Sequence, residues 1–176
     1  AFLHGLCEIA PVYLCMGNHE QSFIHDNQQE FLDAMHRTKA EILMNSGRHV
    51  KIKGREFYIC GVMPEYSVYK KDGGYKNLDD FTLDDMKKNL GDCPRGEVLL
   101  LAHNPLFGAV YADWGADYTF SGHIHGGVVR LFGVGILSPE RKFFPKYSKG
   151  IYDISGKKLL VSAGVGKLRM FNPPEI

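Results

Sequence analysis

Ser121-Gly122-His123-Ile124-His125-Gly126-Gly127 decides how the rest of the chain is read. It follows the short apolar run Tyr118-Thr119-Phe120. A strand ending there repeats its side-chain direction every two residues. His123 and His125 are therefore expected to point the same way, into a cleft at the strand's C-terminal end. The flanking glycines let backbone approach a ligand closely, and imidazole is a common ligand for divalent transition metals. Taken alone, the stretch also reads as a surface His-x-His pair in a turn. Two further stretches favour the cleft: Gly17-Asn18-His19-Glu20 after the run Val12-Tyr13-Leu14-Cys15-Met16, and Ala102-His103-Asn104-Pro105 after Val98-Leu99-Leu100-Leu101. Each delivers a histidine at the end of a strand-like segment.

Both apolar runs are continuous, as in strands buried on two faces of an α/β layered fold. Around them the pattern alternates. Residues 1–10 read as the end of a helix stopped by Pro11. Residues 27–45 carry Phe31, Met35, Ile42 and Leu43 as a helical stripe, ended by Asn45-Ser46-Gly47. Residues 49–53 and 56–62 form a hairpin around Lys53-Gly54-Arg55. Residues 63–77 form a loop, a candidate wall of the cleft. A helix is expected over 79–90, capped by Asp79 or Thr82 and stopped by Gly91. Residues 105–114 make a short helix or turn, and 128–132 a returning strand. Residues 138–149 form a loop. A second hairpin spans 150–155 and 158–162, followed by a turn at 164–166 and a closing strand over 168–171. Helices alternate with strands first, and strands crowd the C-terminal half. The expected fold class is α/β: two packed β-sheets flanked by helices, an α/β/β/α sandwich. Ligands in layered folds gather at the carboxyl ends of strands, where all three histidine stretches fall. Residues 1–176 are read as one domain.

Composition narrows the partners. A formal net charge of +1 over 176 residues gives no nucleic-acid footprint and no polybasic patch. The longest apolar runs are far shorter than a bilayer span. Cys7, Cys15, Cys60 and Cys93 have no Cys-x-x-Cys spacing, which reads as reduced thiols in a cytosol-facing chain.

Asn18, His103, His123 and His125 together supply an amide oxygen and three imidazoles, a donor set suited to Mn, Fe, Zn or Co rather than Ca or Mg. His19, next to Asn18 but pointing elsewhere, is placed to donate a proton or hydrogen bond. In order, spacing and flanking strands the three stretches resemble the last three signature blocks of the calcineurin-like metallophosphoesterases. The segments Gly126-Gly127-Val128-Val129-Arg130-Leu131, Lys146-Tyr147-Ser148-Lys149-Gly150 and residues 168–176 look like the YkuE-type bacterial branch. The resemblance implies hydrolysis of a phosphomonoester or phosphodiester at two divalent metal ions, with water or hydroxide attacking phosphorus in line. It implies Asn18, His103 and His123 on one metal, His125 on the other, and His19 against the phosphate as the catalytic group. The substrate is expected to be a small-molecule, lipid-linked or nucleotide-linked phosphoester, the lipid idea coming from the branch alone.

The family pattern opens with Asp-x-His and Gly-Asp-x-x-Asp blocks, and neither stands ahead of Gly17. The chain is therefore expected to be the C-terminal portion of a phosphoesterase domain, N-terminally incomplete and inactive as given. Membrane association, on the cytoplasmic side, would come through an N-terminal segment outside it. The rival reading is a non-catalytic remnant holding at most one metal. His4, His25, His36 and His49 read as ordinary histidines, although His25 is close enough to line the cleft. Asn104 either orients His103 through a hydrogen bond or is a turn residue before Pro105. Asp79, Asp80, Asp84 and Asp85 read as a helix start facing solvent, Arg130 as a solvated strand position, and the loop tyrosines as aromatic packing.

Overall fold

The computed structural model describes residues 2–69, 78–125, 129–131, 134–137 and 146–164, with the side chains of 25, 26, 129–131 and 134–137 outside that description. The expected loop over 138–145, the turn beyond 164 and the closing strand over 168–171 fall outside it too. The chain opens with helix α1 (Phe2–Cys7) and a two-residue strand β1 (Tyr13–Leu14). Helix α2 (Asn18–His36) follows, bent at Asn27, whose φ of −140° and ψ of 42° are not helical. Strand β2 (Glu41–Ile42) pairs in parallel with β1.

Two expectations change here. The run 12–16 is not a long buried strand: only Tyr13 and Leu14 pair, and both are half-buried. The helix foreseen over 27–45 starts at Asn18 and ends at His36. There the Thr38 hydroxyl donates to Met35 O (2.7 Å) and accepts from Ala40 N–H (3.2 Å), and Lys39 turns left-handed. Ile42, read as part of a helical stripe, belongs instead to β2, and Leu43, just past its end, donates its N–H to Leu14 O (2.8 Å).

The main sheet has six strands in the order β3-β4-β5-β6-β10-β9. β3 (Ser46–Ile52) and β4 (Arg55–Val62) form the first hairpin. Its two-residue turn has positive φ at Lys53 (50°) and Gly54 (85°), a twist that matches the strands. β5 (Glu97–Ala102) and β6 (Tyr118–Ser121) add in parallel. β9 (Gly150–Ile154) and β10 (Lys157–Val161) form the second hairpin, and β10 pairs in parallel with β6. β7 (Val129–Leu131) and β8 (Val134–Leu137) pair separately.

Helices α3 (Leu83–Leu90) and α4 (Gly108–Trp114) cover one face of this sheet. Their core meets Cys60, Val62, Val98, Leu100 and Ala102, each fully buried. Thr82, not Asp79, caps α3: its hydroxyl accepts from Asp85 N–H (3.3 Å), while the Asp85 carboxylate accepts from Thr82 N–H (2.8 Å). Trp114 Nε1 donates to Gly91 O (2.8 Å), locking the end of α3 to α4.

The opposite face bears a cross-strand row of Leu101, Phe120, Leu160 and Ile151. The β1–β2 pair lies over one end of that row, where a side chain on Gly61 would strike Leu43 O. Among the described residues no helix is long and apolar enough to cross a membrane.

Candidate metal centre

The C-terminal ends of β5 and β6 are tied together: Gly122 N–H donates to His103 O (3.0 Å). Two of the three histidine blocks therefore meet at one end of the sheet. β6 ends at Ser121, before either histidine of the last block. His123 and His125 stand in left-handed backbone, with φ of 58° and 54°. Ile124 N–H donates back to Gly122 O (2.7 Å), closing a tight γ-turn around His123. His123 and His125 therefore do not alternate along a strand, contrary to the expectation from their spacing. A strained turn, anchored by the fully buried Ile124, aims His123 inward and leaves His125 exposed.

The third block reaches the same place from α2. Gly17 is the N-cap and Asn18 the first helical residue, so Gly17-Asn18-His19-Glu20 is a helix start and not the expected loop. The Glu20 carboxylate accepts from Gly17 N–H (3.0 Å), so this acid is spent on the cap. A Cβ on Gly17 would lie 2.7 Å from His103 Cε1 and Nδ1. Only a bare backbone lets the imidazole sit there.

The result is a three-donor cluster. His103 Nε2 lies 2.9 Å from Asn18 Oδ1 and 3.0 Å from His123 Nδ1. With Nε2 protonated, one N–H would serve two acceptors. With Nε2 bare, it accepts from His123 Nδ1–H and faces the lone pairs of the Asn18 oxygen. A cation between them would take a lone pair from each donor. Neighbouring donors bonded to an octahedral ion at about 2.1 Å stand about 3.0 Å apart, which fits these separations. Among the described residues no group of three His, Cys, Asp or Glu could hold a metal. This cluster differs in taking an amide as its third donor. Gln21 Nε2, Asn104 Nδ2 and Ser121 Oγ are buried without a hydrogen-bond partner among the described residues, and each belongs to a residue within three positions of a cluster member.

His125 stands at the rim. An added Cβ on Gly164 would lie 3.8 Å from its Nδ1, so the segment after β10 runs beside it. Partial burial first, then the neighbouring His123 and His19, lower the His125 pKa from its ordinary value. His19 and His125 therefore face one another's field, with His19 exposed on the first turn of α2. Asn104 is a turn residue: its side-chain oxygen accepts from Leu106 N–H (3.0 Å), and its backbone oxygen accepts from Tyr111 Oη–H (3.0 Å). Tyr69, read as one more loop aromatic, is buried against both His103 and His123. His36 is exposed, and His49 packs its edge on Tyr58.

Comparison with known proteins matches residues 2–127 to the calcineurin-like phosphoesterases, a span that takes in all three histidine blocks. The chain belongs to the calcineurin-like phosphoesterase family. It is 25% identical over 168 residues to phosphodiesterase YaeI of Escherichia coli K12. That alignment covers 94% of this chain and 55% of YaeI, so the chain spans about half the length of its curated relative. The fold of this calcineurin-like chain is also that of the sulfate thiohydrolase SoxB of Thermus thermophilus, solved with glycerol. The TM-score is 0.53 at 13% identity, over 92% of this chain and 30% of SoxB. The layered α/β expectation agrees with this likeness. The family is one of metal-dependent phosphoester hydrolases.

Proposed function

We propose that residues 1–176 supply the amide-and-imidazole side of a binuclear metal centre that hydrolyses a phosphodiester or phosphomonoester within a longer protein. The single observation that supports this reading is that Asn18 Oδ1 and His123 Nδ1 lie 2.9 and 3.0 Å from His103 Nε2, three donors brought in from three separate segments. In it, Asn18, His103 and His123 hold one divalent ion and His125 belongs to a second. When bound, the ions would neutralise the phosphate and activate the attacking water. His19 stands on the first turn of α2, so the phosphate would meet both its imidazole and the positive end of that helix. Its role is to donate a proton or hydrogen bond to an oxygen of the reacting phosphate. The name of the YaeI relative favours a diester over a monoester. The one-domain reading is supported by β10, which lies beyond residue 127 yet pairs with β6 in the main sheet.

The rival reading, a fold that holds at most one ion and hydrolyses nothing, draws support from Glu20, a nearby acid already engaged in a helix cap.

The test is His123→Ala in the natural protein that carries this chain. Elemental analysis should show one ion lost per chain, and turnover of a nitrophenyl phosphodiester should fall to background. His36→Ala should change neither. Full metal content in the His123 variant would defeat the ligand assignment. At most one ion per chain and no turnover in the unmodified protein would favour the non-catalytic reading.

A further inference from the structure

We propose that Tyr69 is the positioning residue of the three-donor cluster: its ring, packed against both imidazoles, turns His103 and His123 so that His103 Nε2 faces both Asn18 Oδ1 and His123 Nδ1. The inference rests on the metal-centre reading and adds a residue to it. Tyr69 is 1% exposed, and its ring centroid lies 6.5 Å from that of His103 and 6.0 Å from that of His123, at 63° and 51°. The two imidazoles are themselves 4.9 Å apart at 74°. The three rings thus form a triangle of edge-on and tilted contacts, a favoured arrangement for aromatic pairs.

An imidazole on its own has a broad, roughly two-fold χ2 preference, so neighbours must set its direction. Gly17 bounds the His103 ring on one side and His123 on another, and Tyr69 supplies a further wall. For His123 the γ-turn fixes the backbone, and His103 and Tyr69 limit the ring. Tyr69 is itself held. It ends a 3-10 turn (Tyr66–Tyr69) in which Val68 N–H donates to Glu65 O (3.0 Å) and Val68 O accepts from Asp79 N–H (2.8 Å). Glu65 is also paired to Lys88 of α3 (3.1 Å). The turn and its bond from Asp79 fix the backbone that carries the ring, and the ring offers no nitrogen to compete for the ion.

The test is a cobalt(II) titration of the natural protein carrying this chain, reading the visible ligand-field bands and the affinity. Tyr69→Leu should weaken cobalt binding about 10- to 100-fold, the range for groups that orient metal ligands. It should also alter the bands, while far-UV circular dichroism stays near the parent; the cavity lowers Tm but leaves the variant folded at the assay temperature. Tyr69→Phe keeps the ring and should match the parent in both readouts. If Tyr69→Leu does not fold, Tyr69→Met, flexible and apolar, takes its place. Unchanged bands and affinity in the folded Leu or Met variant would overturn the inference, as would a Phe variant as impaired as either. His123→Ala separates the two levels. Should it leave the cobalt spectrum intact, the metal-centre reading itself fails. Should it abolish the spectrum while the Leu variant binds like the parent, only the role of Tyr69 fails.

Discussion

Gly17 earns its place by what it lacks. Its φ of −96° suits any residue, so conformation does not demand glycine. The demand comes from the His103 ring, 2.7 Å from where a Cβ would stand. Contacts below 3.0 Å force something to move, and the group in the way is a proposed ligand. Gly17→Ala should therefore weaken metal binding about 10- to 100-fold, as displaced ligand geometry does. Its stability cost should be the about 1–3 kcal/mol of overpacking. Metal titration and urea unfolding of the variant measure the two separately; an unchanged affinity would refute the close-approach argument. His19 is the opposite kind of residue, exposed and outside the three-donor cluster. In the natural protein His19→Ala should keep its metal and lose about two to four orders of magnitude in kcat. The loss should shrink for a nitrophenolate leaving group if His19 protonates the leaving oxygen. An equal loss with good and poor leaving groups would restrict it to an electrostatic role.

At the scale of elements, each histidine block sits where one piece of regular structure stops or starts. β5 delivers His103, the γ-turn after β6 delivers His123, and the first turn of α2 delivers Asn18. α3 lies beside the turn that ends in Tyr69, with Lys88 paired at the surface to Glu65. Its start depends on the reciprocal Thr82–Asp85 cap, whose hydrogen bonds from Thr82 hold the Asp85 carboxyl below its usual pKa. Thr82→Ala should cost about 1 kcal/mol, the typical value of an N-cap hydroxyl. Urea midpoints of parent and variant give the number. A shift indistinguishable from zero would mean that packing of Met86 against the core sets the start of α3 without help from the cap.

Among the described residues, two buried thiols give the stability of the molecule an alkaline pH dependence. Burial pushes Cys60 up to about 12 and Cys15 up to about 11. Between the ordinary thiol range near 8.5 and these values, the unfolded chain releases protons that the folded chain keeps. The native state then binds more protons than the unfolded one, so stability falls as pH rises across that window. Below it the contribution is fully present. Urea midpoints from pH 8 to 10.5 should decline, and the decline should be shallower in Cys60→Ala, whatever that variant loses in absolute stability. Parallel declines in parent and variant would show that other groups set the alkaline limit.

The three histidine blocks, both hairpins and the extent of β5 were legible in the sequence. Each is signalled by local properties: apolar runs of strand length, a Gly at a two-residue turn, and polar residues clustered where such runs end. The family likeness was legible for the same reason, since its motifs are short and contiguous. Other features required the assembled fold. Local periodicity cannot say that the run 12–16 would find only a two-residue partner, or that Ile42 and Leu43 would leave their helical stripe to pair with it. It cannot foresee that His123 would adopt left-handed backbone, because that strain persists only when surrounding contacts over-determine it. Nor can it place β10 beside β6, or set Tyr69 against two imidazoles that lie 34 and 54 positions further along the chain. Ring against ring and strand against strand are contacts between distant residues. Only packing, which weighs every segment at once, chooses among them.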